Sequence, residues 1–158
     1  MLAKIARPAA DGTTLPEKTV ADLAKHRHLL AGIGNARYVA MCRFDLAMHA
    51  GAAADVDALW PPLYAAATTL TEAPATHFAS SWYHMAIGYD CAYYGYLWSE
   101  VCAVDAYARF ADALDASEGA RLRETCLAPG AARAGAAMLR DFLGRDPTED
   151  AYFKRLGL

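Results

Sequence analysis

A chain of 158 residues is long enough for one domain that buries about two thirds of its unfolded surface. Its formal net charge of -3 leaves no basic footprint for nucleic acid. The hydrophobic fraction of 56% is inflated by alanine, mean hydropathy is only +0.08, and Asp57, Glu72, Asp90 and Glu100 punctuate the most apolar region, so no membrane span is expected.

Met1 to Arg7 is short, basic and apolar, readable as the start of a mitochondrial address or as a helix end, and Pro8 stops it. Asp11 to Pro16 reads as loop. From about Glu17 to Leu30, Val20, Leu23 and Leu30 share one helical face with Ala24 beside them; Gly32 and Gly34 then break the pattern. Asn35 to Ala50 forms a second helix, apolar on more than one side through Tyr38, Val39, Met41, Cys42, Phe44, Leu46 and Met48, as expected of a helix sandwiched between layers. Asp45 within it needs a partner if buried. After Gly51, Ala54 to Leu70 continues helically with an interruption at Pro61-Pro62, where backbone donors are lost. Thr71 to Ser81, holding Pro74, reads as irregular.

A loop rich in tyrosine and glycine follows at about 82–92 and leads into a helix at about 92–114. Tyr93, Tyr96, Leu97, Val101, Val104 and Ala108 mark one broad apolar side, and few charges appear before Asp105, Arg109 and Asp112. This helix is expected to be the most buried element. A buried Glu100 must be paired or protonated, with Arg133 and Arg140 as candidate partners. Ser117 begins a helix to about Leu127, ended by Pro129-Gly130, and another runs from about Ala132 to Leu143, stopped by Gly144. The last has Asp146 as cap, Pro147 at its first position and Glu149 at its third, a capping-box arrangement. With no strand expected, the fold class is all-α, a single helical domain over 1–158 built as a bundle.

Cys42, Cys91, Cys102 and Cys126 form no Cys-x-x-Cys pair, and a reducing compartment is the simplest reading. Cys91 and Cys102 fall about three helical turns apart, too far for a disulfide. His26 and His28 point to different sides of a helix, and His49 and His77 are isolated, so these histidines read as structural or surface residues.

The stretch from His84 to Glu100 holds four of the nine tyrosines, two glycines and a tryptophan. Gly88 lets its loop turn sharply and bring Tyr89 close to a bound molecule. Each phenol carries a flat apolar body and a neutral O–H donor at pH 7. Such donors suit a peptide carbonyl, or the oxyanion formed when it is attacked; a buried aromatic cluster with its hydroxyls on backbone partners is the other reading.

The order His84-x-x-x-Gly88-Tyr89-Asp90-x-x-Tyr93-Tyr94-Gly95-Tyr96-Leu97-Trp98-Ser99-Glu100 resembles the C-terminal part of the thimet oligopeptidase, neurolysin and oligopeptidase A family of zinc peptidases. The resemblance continues at Gly12 to Pro16, from Asn35-Ala36-Arg37 through Asp45 to His49, and at Leu127 to Gly130, Met138 to Pro147 and Gly157-Leu158. It also takes in the opening residues, which favours the helix end over the address. The family's zinc site uses His-Glu-x-x-His plus a downstream glutamate, and no His-Glu-x-x-His occurs here. The resemblance therefore implies the C-terminal helical half of a zinc oligopeptidase catalytic domain, inactive alone, intracellular, in the cytoplasm or mitochondria.

By motif position, Tyr89 and Tyr96 resemble the family's two reaction-stabilising tyrosines and His84 its substrate-contacting histidine, on a flexible loop that includes Gly88. No metal ligand or cofactor is expected in this chain; zinc is expected in a complementing segment, the implied partner beside short peptides. Tyr93, Tyr94 and Trp98 are expected to pack rather than touch substrate. Ile87 stands where the family usually has a second glycine, and Ala131 and Ala132 replace the usual Gly-Ser, departures expected to oppose loop closure. Two other roles stay open: a catalytically silent subunit of a larger assembly, and a free-standing peptide-binding protein.

Overall fold

The computed structural model describes residues 12, 15–51, 55–110 and 115–158. The expectations for Met1 to Pro8, for the helix start at Ala54 and for the helix end at Leu114 lie outside these residues. Among the described residues there are eight α-helices and no strand, so the chain is all-α. It divides into two compact units, Leu30–Leu97 and Met1–Leu29 with Trp98–Leu158.

The unit Leu30–Leu97 is built on α2 (Ala31–His49), which follows α1 (Glu17–His26) in the chain. The α2 helix starts earlier than expected, because Gly32 and Gly34 lie inside it rather than breaking it. Burial falls on Ala40, Met41, Phe44 and Asp45, while Val39 and Leu46 are exposed. One face is therefore covered, not several. Against that face lie Trp60, which opens α3 (Trp60–Thr68), and Phe78 and Trp82, at the start and just past the end of the one-turn α4 (Phe78–Ser81). Phe44 meets Trp60 edge-on at 5.9 Å and Phe78 at 5.6 Å, and Trp60 stacks on Phe78 at 3.9 Å. Pro61-Pro62 does not interrupt α3. The two prolines stand in its first turn, where a missing N–H removes no intrahelical bond.

The second unit holds most of α5 (Gly95–Tyr107), a 3-10 turn Ala108–Phe110, α6 (Ala116–Leu122), a π-turn Arg123–Leu127, α7 (Gly135–Leu143) and α8 (Asp150–Leu156). Asp115 caps α6 by accepting from Ser117 N and Glu118 N. Arg109 ties three elements: it grips Glu118 at 2.8 Å, donates to the Leu143 carbonyl at 2.9 Å and lies over the Phe142 ring. Asp105 is buried and takes two Arg145 donors at 2.5 and 2.8 Å plus the Thr148 N–H at 2.9 Å.

Three expectations are corrected here. The expected buried helix at about 92–114 begins at Gly95, and its one buried residue is Asp105. Its apolar residues run around the whole circumference and only the Asp105 side is closed off, which leaves Trp98 71% and Tyr107 52% exposed. Glu100 pairs with Arg155 at 3.0 Å, whereas Arg133 and Arg140 are held by Asp141 and Asp146. Asp146 is therefore engaged by Arg140 and caps nothing; Thr148 N–H is taken by Asp105, and α8 starts only at Asp150.

Candidate functional site

All four residues of interest lie in the unit Leu30–Leu97, between α4 and the first turn of α5. A 3-10 turn, Tyr83–Ala86, carries His84. The chain then reverses at Gly88, whose φ of +85° is a left-handed conformation that a side chain resists. Ile87 sits beside it at φ -124°, ψ 24°. Cys91 holds a second left-handed angle, φ +58°.

This path gathers the rings. Tyr89 and Tyr96 stack nearly parallel, 9° apart with centroids at 5.0 Å. His84 stands edge-on to both, at 5.7 Å from Tyr89 and 6.0 Å from Tyr96. Tyr93, buried, meets His84 at 5.0 Å and Tyr96 at 5.4 Å, both edge-on. Edge-to-face contacts place positive ring edges on negative faces, each contributing about 0.5–1.5 kcal/mol beyond area burial.

Tyr89 is 36% and Tyr96 42% exposed, so both phenols are open to solvent. The neighbouring Tyr89 phenol, aided by partial burial, pushes the pKa of Tyr96 up to about 12. Tyr96 therefore keeps its proton at neutral pH, as a donor must. His84 Nδ1 is buried with no hydrogen-bond partner, a polar atom that a bound group or an ordered water completes.

The elements beneath are fixed by two side chains of α2. Asp45 accepts from Cys91 N at 2.9 Å and Tyr93 N at 3.1 Å, and His49 reaches the same carboxylate at 3.1 Å. The Tyr38 hydroxyl donates to the Tyr93 carbonyl and accepts from Leu97 N at 3.2 Å. Asp45 had a signal in the sequence, a lone acid in an apolar helix. Tyr38 had none, because its partners lie 55 and 59 residues away.

The structure thus brings His84, Tyr89 and Tyr96 together on a turn that Gly88 permits. Of the three residues expected only to pack, Tyr93 does so, while Tyr94 is 52% exposed and Trp98 more so. Among the described residues no three His, Cys, Asp or Glu side chains gather as metal ligands. The donors among the described residues therefore do not fit a zinc site.

A family model for peptidase family M3 matches residues 1–158. Saccharolysin of Saccharomyces cerevisiae is 32% identical over 156 residues, which cover 93% of this chain and 22% of that protein. Probable cytosolic oligopeptidase A of Arabidopsis thaliana is 31% identical over 168 residues, covering 99% and 24%. Organellar oligopeptidase A, chloroplastic/mitochondrial, of the same plant is 30% identical over 168 residues, covering 99% and 21%. The chain spans about a quarter or less of the length of these relatives.

Proposed function

The chain belongs to peptidase family M3, and on that premise we propose that it is the substrate-binding segment of an oligopeptidase, holding a short peptide at its scissile carbonyl. Zinc and the general base are assigned to a segment outside this chain, which by itself does not hydrolyse peptides. The observation that carries this reading is the convergence of His84, Tyr89 and Tyr96 within 6.0 Å of one another by ring centroid.

The chemistry follows from two neutral phenols side by side. Their rings stack nearly parallel, with centroids 5.0 Å apart. An oxyanion is a stronger acceptor than a phenol, so both O–H groups turn to the carbonyl oxygen as charge develops on it. That bond strengthens in the transition state and accelerates the step rather than merely tightening binding. His84 supplies a further polar group for the peptide backbone beside them. The names of the relatives, cytosolic and chloroplastic/mitochondrial, support an intracellular location, and among the described residues no helix is long and apolar enough to cross a membrane.

The test combines this chain with the complementary metal-bearing segment and follows cleavage of a short fluorogenic peptide. Tyr96→Phe is expected to lower kcat by about 10²-fold with KM little changed. An unchanged kcat contradicts the assignment.

A second reading has its own observation. Tyr94 and Trp98 are large, exposed aromatics, and such surface marks interfaces. With Ile87 in place of a glycine, the chain then serves as a catalytically silent subunit of a larger assembly. A stable complex that cleaves no peptide supports this reading over the first.

A further inference from the structure

Tyr89 lies two residues before Cys91 and Tyr96 one residue before Leu97, so the backbone between Cys91 and Leu97 sets how the two phenols face each other. That backbone is not held by its own helix. The first N–H groups of any α-helix lack intrahelical acceptors. In α5, Gly95 and Tyr96 turn back to the carbonyls of Ala92 and Tyr93, and Leu97 N–H is taken by the Tyr38 hydroxyl at 3.2 Å. The same hydroxyl donates to the Tyr93 carbonyl, so one oxygen of α2 bridges the first turn of α5. About two turns along α2, fully buried Asp45 takes the two N–H groups of Cys91 and Tyr93, one on each carboxylate oxygen.

We propose that Tyr38 and Asp45 are positioning residues for the tyrosine pair, clamping Cys91 to Leu97 onto α2 so that the Tyr89 and Tyr96 rings stay stacked face to face. Its consequence for rate rests on the carbonyl-binding reading above; its geometry does not. Three features fit a clamp better than incidental packing. Cys91 keeps a left-handed angle that costs a residue with a Cβ about 1–2 kcal/mol, and its N–H is one of the two that Asp45 holds. The Tyr38 ring also stacks on Tyr93 at 5.1 Å, so ring and hydroxyl fix the same residue. Finally, α2 is a 19-residue helix whose buried face carries Asp45, a rigid base of the kind that holds a site to sub-ångström tolerance.

Tyr38→Phe keeps the ring and its stacking and removes only the hydroxyl, so it separates positioning from folding. The direct readout is the ionisation of Tyr96 in the full chain, followed by NMR of tyrosine labelled at the phenolic carbon. At pH ~10.5 Tyr96 in the parent chain is expected to stay mostly neutral; in Tyr38→Phe the stacked pair parts and Tyr96 is expected to ionise with its pKa moved toward the ordinary value of about 10. Tyr96 staying neutral at that pH in a folded Tyr38→Phe chain overturns the proposal. Should Tyr38→Phe not fold, Asp45→Asn, which keeps the shape and one acceptor oxygen, is read in the same way with the same two outcomes.

In the complemented peptidase, Tyr38→Phe is expected to lower kcat about tenfold with KM little changed, and to add nothing to Tyr96→Phe. A tenfold loss that adds fully to Tyr96→Phe also overturns it. If the ionisation of Tyr96 shifts while Tyr96→Phe leaves hydrolysis unchanged, the clamp stands and the carbonyl-binding reading falls.

Discussion

Tyr96 is held neutral by a neighbour rather than by depth. The stacked Tyr89 phenol beside it is the largest reason its pKa rises to about 12. The sign of the effect is testable. Tyr89→Phe removes the partner oxygen but not the stacked ring, so Tyr96 is expected to titrate lower, toward about 10, in a tyrosine-labelled NMR titration. A Tyr96 that still titrates near 12 in that variant contradicts the pairing. At this scale the sequence was informative wherever chemistry is local. Gly88 reads as a turn residue because only glycine enters φ +85° freely, and it does so here. Asp45 reads as an acid in need of a partner, but the partners themselves, 46 and 48 residues away, follow from tertiary folding and leave no local trace.

Among the helices, α5 carries the largest departure from its sequence pattern. Tyrosine, tryptophan and valine all around a helix read as burial, yet what is buried on α5 is the carboxylate of Asp105. The Arg145 guanidinium, together with the Thr148 N–H, holds that carboxyl below its usual range. A depressed carboxylate pKa stabilises the fold above the unfolded value of about 4, and the contribution is lost as pH falls through the folded value. Asp105→Ala is therefore expected to cost about 2 kcal/mol in urea unfolding at pH 7, below the range for fully buried pairs because Arg145 is half exposed. The difference from the parent chain narrows as pH drops below about 4. Equal stability at pH 7 rules out this role. The same carboxylate helps explain why the capping box at Asp146 to Glu149 does not form. Arg140, six residues before Asp146, and the distant Asp105 claim the groups that the local motif needs. Pro61-Pro62 shows the converse, since proline reads as a breaker inside a pattern and as a starter at its edge, and sequence periodicity alone does not place the edge.

For the molecule as a whole, the all-α class and the order of most helices were legible from apolar periodicity, and the family from one long ordered motif. The lining of the candidate site was legible only through that motif, because nothing in composition says which of nine tyrosines converge. The unit Leu30–Leu97 gathers His84, Tyr89 and Tyr96 on a framework of its own. The central claim is that this arrangement is the carbonyl-binding part of a peptidase whose metal lies in a segment beyond these residues. The most direct measurement is native mass spectrometry of the protein isolated from its own source, reading total mass and zinc content together. The account predicts one zinc for each copy of this sequence, carried by a family segment that stays with it through purification. A metal-free assembly, in which this sequence has only structural neighbours, contradicts it.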